Sequence, residues 1–140
     1  MISIQSLMVP SREAEVDFPG VEGFKVKIAF QSREELIKLR KKATTTKFKN
    51  RKLEEDVDEE LFLSLYTKAV IKGWSGLTVK GLSKLMLVDT GKADANAPVE
   101  YNEENALALM KGCSEFDTFV SDTVSDIANF PQSSSEKSVA

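Results

Sequence analysis

Few residues in this sequence could carry out acid–base or metal chemistry. The chain has no histidine and a single cysteine, Cys113. Zinc sites and Ser–His or Cys–His catalysis need those side chains, so the composition excludes both. The seven glycines are scattered and form no phosphate-binding loop. Carboxylate-only chemistry remains, but most acids lie in surface-type runs. The sequence therefore predicts a protein that is not an enzyme and that uses no cofactor or metal.

The charged residues form two neighbouring runs of opposite sign. Residues 33–52 hold nine of the nineteen Lys and Arg residues, and acids then dominate from Glu54 to Glu60. A basic run can contact phosphates, bind a protein partner or pair with nearby acids. The net charge of −3 and the adjacent acids, which repel a duplex, favour a solvated face that pairs with those acids. We therefore expect no nucleic-acid partner.

Charge is also unequally distributed along the whole chain. Residues 1–52 carry twelve basic and six acidic residues, whereas residues 88–140 carry three basic and ten acidic residues. A molecule polarised in this way suits a binding protein with distinct faces.

Length and composition predict one soluble domain. A chain of 140 residues with 41% hydrophobic residues can build a core without a disulfide. The N-terminus lacks the pattern of a signal peptide, and no apolar run approaches the roughly 18 residues of a membrane span. With one cysteine, a reducing compartment is the natural expectation. We expect a cytosolic protein with no membrane partner.

Two alternating segments near the N-terminus predict a β-hairpin. Apolar residues alternate with acids in EAEVDF, residues 13–18, and with lysines in FKVKIAF, residues 24–30. PGVEG, residues 19–23, is a turn signal between them. The acidic face of the first strand is expected beside the basic face of the second. Residues 2–9 are a candidate third strand.

Helical signals follow the hairpin. Ser32 opens the capping box SREE, which predicts a helix start. The threonines at 44–46 are poor helix formers, so we expect the helix to end there and residues 47–53 to form a basic connector. Helical spacing of apolar residues predicts a second, longer helix from Asp56 to Gly73.

The C-terminal half predicts two more helices. Residues 74–101 are irregular, with either a short strand or a short helix and a polar loop at 89–98. Asn102 caps the third main helix, and Ser114 begins a second capping box, SEFD, and the fourth helix. Pro131 is expected to end that helix, and residues 131–140 to form a flexible polar tail.

The large aromatic residues have two interpretations. Trp74, the only tryptophan, either seals a core or docks a partner, since tryptophan is enriched in binding hot spots. Phe116 and Phe119 belong to the apolar stripe of a terminal amphipathic helix, which forms core in most proteins but also docks on partners in others. Cys113 is interpreted as a small apolar filler.

The order of these features resembles the tail assembly chaperones of long-tailed, siphovirus-type bacteriophages. In that family a short β part precedes a helical body, and a helix ends near a W-x-G-type segment, here WSGL at 74–77. A polar loop and an N-capped helix follow, here residues 89–98 and VEYNEENA at 99–106. KGCSEFDTFVSDTV, residues 111–124, looks like the family's final helix. The likeness covers about residues 24–130.

The sequence departs from the family pattern at two places. Asn102 stands where Ser or Thr is commoner, and the basic segment at 40–52 has no matched counterpart.

The resemblance implies a concrete function. Such chaperones bind the long, mostly helical tape measure protein in the host cytoplasm, keep it soluble, and give way as tail tube (major tail) protein polymerises around it. They are late, non-virion proteins, and self-association is a possible property. A structural virion protein of the tail or head–tail connector is the alternative.

The sequence thus predicts a single α+β domain at residues 1–130, with an N-terminal β-hairpin packed against a helical body of about four helices. A groove on it is expected to bury apolar stripes of the tape measure protein. The predicted lining is Trp74, Leu77, Phe116, Phe119 and Val120.

Overall fold

The predicted N-terminal hairpin is present in a computed structural model that describes residues 2–8, 11–126 and 130. Strands β1 (Ser11–Asp17) and β2 (Lys25–Gln31) pair antiparallel. Their register places Glu15 opposite Lys27 and Asp17 opposite Lys25, so the expected acidic and basic faces do lie side by side.

The third strand of this sheet comes from a different part of the chain than expected. Strand β5 (Ile71–Ser75) pairs antiparallel with the free edge of β2, giving the order β1-β2-β5. The expectation that residues 2–9 form this strand is wrong, since a short helix α1 (Ile4–Leu7) lies there with exposed apolar side chains. The physical reason is burial, because Ile71 is fully buried when β5 pairs with β2.

Helices α2 (Arg33–Lys42) and α3 (Glu59–Val70) lie between β2 and β5 in the chain and run beside each other. The predicted Ser32 cap is confirmed, with its side chain accepting a hydrogen bond from the Glu35 N–H at 3.2 Å. Helix α3 starts later than predicted because Asp58 is its N-cap. It also ends earlier than Gly73, because β5 begins directly at Ile71.

The predicted basic connector at 47–53 is instead part of a second hairpin. Strands β3 (Thr44–Lys49) and β4 (Lys52–Val57) pair antiparallel through a two-residue turn. The turn residues Asn50 and Arg51 have φ values of 52° and 66°, the left-handed conformation that such turns require. The threonines that end α2 are β-branched, and this stiffness favours a strand.

Two long helices complete the body, α5 (Glu103–Gly112) and α6 (Ser114–Ser125). The predicted Asn102 cap is confirmed, since its Oδ1 accepts from the Asn105 N–H at 2.7 Å. Helix α6 is capped by the Cys113 sulfur, which accepts from the Phe116 N–H at 3.4 Å, and not by Ser114 as predicted. The predicted stop at Pro131 and the tail at 131–140 lie outside the described residues.

The irregular segment between β5 and α5 contains a short helix α4 (Val79–Ser83) and a single 3-10 turn at Thr90–Lys92. Thr78 and Pro98 form an isolated bridge, and the Val99 N–H donates to the Leu77 carbonyl at 2.8 Å. These bonds tie the polar loop back onto the start of α4.

The core lies between the sheet and the long helices. Val26 and Ile28 of β2 are fully buried, whereas Lys25 and Lys27 on the opposite face are exposed. Phe116 of α6 stacks on Phe24 with ring centroids 6.2 Å apart. The prediction of an α+β fold, with an N-terminal hairpin against a mostly helical body, is confirmed.

Candidate partner-binding site

Trp74 is held in place from three sides. It lies on β5 opposite Val26, and its ring meets Phe24 edge to face with centroids 6.0 Å apart. Its indole N–H donates to the Val99 carbonyl at 2.9 Å. The ring is only half-buried, so one part of a rigidly positioned aromatic side chain remains accessible.

Tyr101 supports Trp74 from the start of α5. The two rings meet edge to face at 5.3 Å, and the Tyr101 hydroxyl donates to the Ile71 carbonyl at 2.8 Å. Burial raises the pKa of Tyr101, and the Glu103 carboxylate raises it further. The hydroxyl therefore stays protonated and able to donate well above neutral pH.

The turn after β5 explains the W-x-G spacing. Gly76 has a φ of 79°, and a Cβ there would collide with the Gly23 carbonyl in the β1–β2 turn. Only glycine fits this position, because the left-handed conformation and the close backbone approach both exclude a side chain. The tight turn leads Leu77 into the core, where it is 2% exposed.

Trp74 forms one wall of a partly enclosed apolar groove of about 130 Å³, which we call the Trp74 groove. Its other walls come from the segment around α4 and from α5. Asn105 is its single polar lining residue, and its Nδ2 atom donates to the Glu100 carbonyl at 2.9 Å. The full lining is Trp74, Leu77, Leu82, Met86, Val88, Val99, Asn105, Ala108 and Leu109.

A second and more open depression of about 380 Å³ lies on the outer side of α6, and we call it the α6 groove. Phe119 lies in its wall and packs edge to face on Phe18 with centroids 5.0 Å apart. Its rim carries two carboxylates and no basic residue. The lining is Pro19, Ser114, Glu115, Thr118, Phe119 and Asp122.

The five residues predicted to line one groove are therefore separated. Trp74 and Leu77 line the Trp74 groove, and Phe119 lines the α6 groove. Phe116 and Val120 are 0% exposed and belong to the core, so they form no open surface in this conformation. The reason is that this side of α6 packs against β2. The spacing of apolar residues in the helix shows that one side is apolar, but not what that side contacts. The partner-binding role of Trp74, Leu77 and Phe119 stays a prediction.

Several residues of the Trp74 groove cannot be recognised from the sequence. Val88 and Ala108 have no signal of their own in the sequence, and Val99 was noted only within the segment VEYNEENA at 99–106. They meet only because the loop at 89–98 folds back onto α4. Leu87, next to Met86, is fully exposed in the described structure.

Two further kinds of feature were sought in the part of the chain that the structure describes. Within residues 2–8, 11–126 and 130, no three Cys, Asp or Glu side chains come close enough to hold a metal ion. No helix in the same part of the chain is both long and apolar enough to cross a membrane.

Comparisons with known proteins place the chain among phage-derived sequences. The model of the family described as "YdaY prophage protein" matches residues 27–140. Comparisons with curated proteins and with solved structures found no match. The matched region begins within β2 and includes the second hairpin, all of the Trp74 groove and the α6 residues of the α6 groove, but not Pro19.

Proposed function

Because the chain belongs to the YdaY prophage protein family and is thus phage-derived, we propose that it is a tail assembly chaperone. In this role it binds the tape measure protein in the host cytoplasm and keeps it soluble. It then yields to tail tube subunits as they polymerise, and it is absent from the mature virion.

The observation that carries the proposal is the Trp74 groove. Its walls are preformed, because hydrogen bonds from Trp74 and Tyr101 to the backbone fix two of the aromatic rings. An apolar cavity of about 150 Å³ can hold a benzene molecule. A groove of about 130 Å³ therefore suits a single large aliphatic side chain of a partner.

Leu87 adds an exposed apolar side chain to the segment that borders the groove. Its neighbours Met86 and Val88 both line the groove, whereas Leu87 is fully exposed and is not part of the lining. An amphipathic helix presents apolar residues at intervals of three and four, which allows one residue to enter a groove while the next contacts the rim. A tape measure protein, which is long and mostly helical, offers many such pairs.

A small contact of this kind also suits release. Each Å² of apolar surface buried in the complex stabilises it by about 25 cal/mol. The translational and rotational freedom that the two partners lose on association offsets much of that gain. Many weak, repeated contacts along a long partner hold it in solution together, while tail tube protein can displace them one at a time.

The test is co-expression with the tape measure protein encoded by the same prophage, followed by a solubility assay and co-purification. We expect the native chain to keep the tape measure protein soluble. Ala108→Glu places a charge in the groove lining, and Leu87→Lys places one between the lining residues Met86 and Val88 in the chain. Both residues are exposed, so the fold is retained. We expect both variants to lose the complex.

Ile37→Lys is the matched control, because Ile37 is exposed on α2 and lies in neither groove. It should behave like the native chain. If the tape measure protein stays insoluble and the chain is found in purified particles, the structural-subunit alternative replaces the chaperone.

A further inference from the structure

The α6 groove plays no part in the proposed chaperone role. It shares no lining residue with the Trp74 groove, and most of its lining comes from α6. Phe119 is half-buried, since it packs on Phe18 and also borders the depression. With a volume of about 380 Å³, the groove has room for a large apolar side chain beside the exposed part of this ring.

Acidic side chains decide which partners this surface attracts. Glu115 and Asp122 are exposed in the lining, and neither forms an ion pair with any residue that the structure describes. The lining contains no lysine or arginine. A surface of this sign repels the phosphates of nucleic acids and of anionic membranes. The groove therefore favours an occupant that carries basic groups around an apolar centre.

The spacing of the two carboxylates specifies the form of that occupant. Glu115 and Asp122 are seven residues apart on α6, which corresponds to two helical turns or about 10 Å along the axis. Phe119 lies four residues after the first and three before the second, so the ring lies between the two charges on one side of the helix. A helix laid along α6 matches this pattern if it carries two basic residues seven positions apart and a large apolar residue between them.

An extended strand or a small molecule fits this surface less well. Side chains on one face of a strand recur about every 6.6 Å, so a pair lies either well below or well above a separation of about 10 Å. A small molecule in so open a depression leaves much of its surface in water, whereas ligand pockets bury most of their ligand. A helix contacts the centre and both charged ends at the same time.

We propose that the α6 groove binds a basic amphipathic helix of a partner protein. The apolar residue of that helix enters the depression beside Phe119 and Pro19, and its two basic residues face Glu115 and Asp122. The core is not disturbed, because the buried residues of α6 lie on its other side, namely Phe116, Val120, Thr123 and Val124. This binding is independent of the chaperone role, since it uses no residue of the Trp74 groove.

The test uses two synthetic peptides as probes. The first is an alanine-based peptide of about 18 residues, long enough to be helical, with lysines seven positions apart and a leucine four positions after the first lysine. The second has glutamate in place of both lysines. We expect the native protein to bind only the lysine peptide in fluorescence anisotropy, and added salt to weaken this binding. In NMR spectra, the amide signals of residues 114–122 should shift.

Exchange of the charges is the decisive measurement. Glu115→Lys/Asp122→Lys should weaken binding of the lysine peptide at least about tenfold and should bind the glutamate peptide instead. Glu115→Gln/Asp122→Asn, which removes both charges without reversing them, should bind the two peptides equally weakly. All these substitutions are at exposed positions, so we expect the variants to fold, which circular dichroism checks.

The matched control is Glu60→Lys/Glu104→Lys. It changes the net charge by the same amount as the groove variant, at exposed positions in the first turns of α3 and α5 and outside both grooves. It should bind the lysine peptide as the native protein does. Phe119→Ala should weaken the binding roughly tenfold, because truncation of a central aromatic anchor removes its apolar contact.

Four outcomes overturn the proposal. The lysine peptide fails to bind the native protein, or the control variant loses the peptide as completely as the groove variant does. The third is that neither groove variant with a native circular dichroism spectrum changes its preference between the peptides. The fourth is a native dimer that Glu115→Lys/Asp122→Lys dissociates, because a second copy then covers the groove. Leu87→Lys should bind the lysine peptide normally, so failure of the chaperone role is a separate result.

Discussion

The rings of Trp74 and Tyr101 meet edge to face at 5.3 Å, and each residue donates a hydrogen bond to the backbone of the other's segment. Trp74 donates to the Val99 carbonyl at 2.9 Å, and Tyr101 donates to the Ile71 carbonyl at 2.8 Å. The pair thus fastens β5 to the segment that leads into α5. This connection fixes one wall of the Trp74 groove.

We expect substitutions in this pair to be destabilising and coupled. Tyr101→Phe removes one hydrogen bond and should lower the free energy of unfolding by about 1 kcal/mol, and Trp74→Phe by about 2 kcal/mol because packing is lost as well. The loss in free energy of unfolding of the double variant should differ from the sum of the two single losses by about 0.5–1.5 kcal/mol, which urea denaturation would measure. Additive effects would contradict a shared connection.

Gly76→Ala should be strongly destabilising. Alanine at a φ of 79° is strained, and its Cβ collides with the Gly23 backbone, which cannot move aside as a side chain can. We expect a loss of at least about 3 kcal/mol in urea denaturation. Gly20→Ala is the matched control, because Gly20 has a φ of 96° but no atom within 4 Å of the added Cβ. Gly20→Ala should lower the free energy of unfolding by only about 1–2 kcal/mol. If both variants lose the same amount, the collision with the Gly23 backbone is excluded.

Thr67→Val should stabilise the protein. The Thr67 side chain is 2% exposed, and its hydroxyl oxygen has no hydrogen-bond partner among the described residues. Replacing the hydroxyl by a methyl group should raise the free energy of unfolding by about 1 kcal/mol.

The matched control for that substitution is Thr123→Val on α6. The Thr123 hydroxyl donates to the Phe119 carbonyl at 2.8 Å, so its loss should lower stability by about 1 kcal/mol. Thermal denaturation of both variants gives the comparison. A lower melting temperature for Thr67→Val, as for Thr123→Val, would show that the Thr67 hydroxyl has a hydrogen-bond partner.

Tyr66 predicts a specific dependence of stability on alkaline pH. Burial raises the pKa of Tyr66, the hydrogen bond with Ser121 acts in the opposite direction, and the Asp117 charge raises the pKa further. The folded state therefore holds the phenolic proton more tightly than the unfolded chain, whose tyrosines ionise near pH 10. This contribution is complete below about pH 10 and is lost as pH rises through the folded-state pKa.

The comparison with Tyr66→Phe isolates this effect. Phenylalanine cannot ionise, so the variant should gain stability relative to the native chain as the pH rises above about 10. Urea denaturation at pH 8 and at several values above pH 10 measures the difference. If the difference in free energy of unfolding between the native chain and the variant is the same at every pH, the pKa of Tyr66 is not raised by folding.

Local signals in the sequence were sufficient for the elements that depend on neighbours in the chain. The alternation at 13–18 and 24–30 predicted the first hairpin, and the Ser32 and Asn102 caps marked two helix starts. The threonines at 44–46 were correctly seen to end a helix. Their strand partner was missed, because the acids from Glu54 onward were interpreted as a charged run and a helix was expected from Asp56.

The sequence by itself determined the fold class, the first hairpin and the starts of α2 and α5, because periodicity and capping act over a few residues. Only the tertiary structure decided that β5 completes the sheet and that Phe116 and Val120 are core. It also decided that Trp74 and Ala108, 34 positions apart, line one groove. Burial depends on which distant segments meet, and an apolar stripe has the same spacing whether its partner is the core of its own chain or another protein.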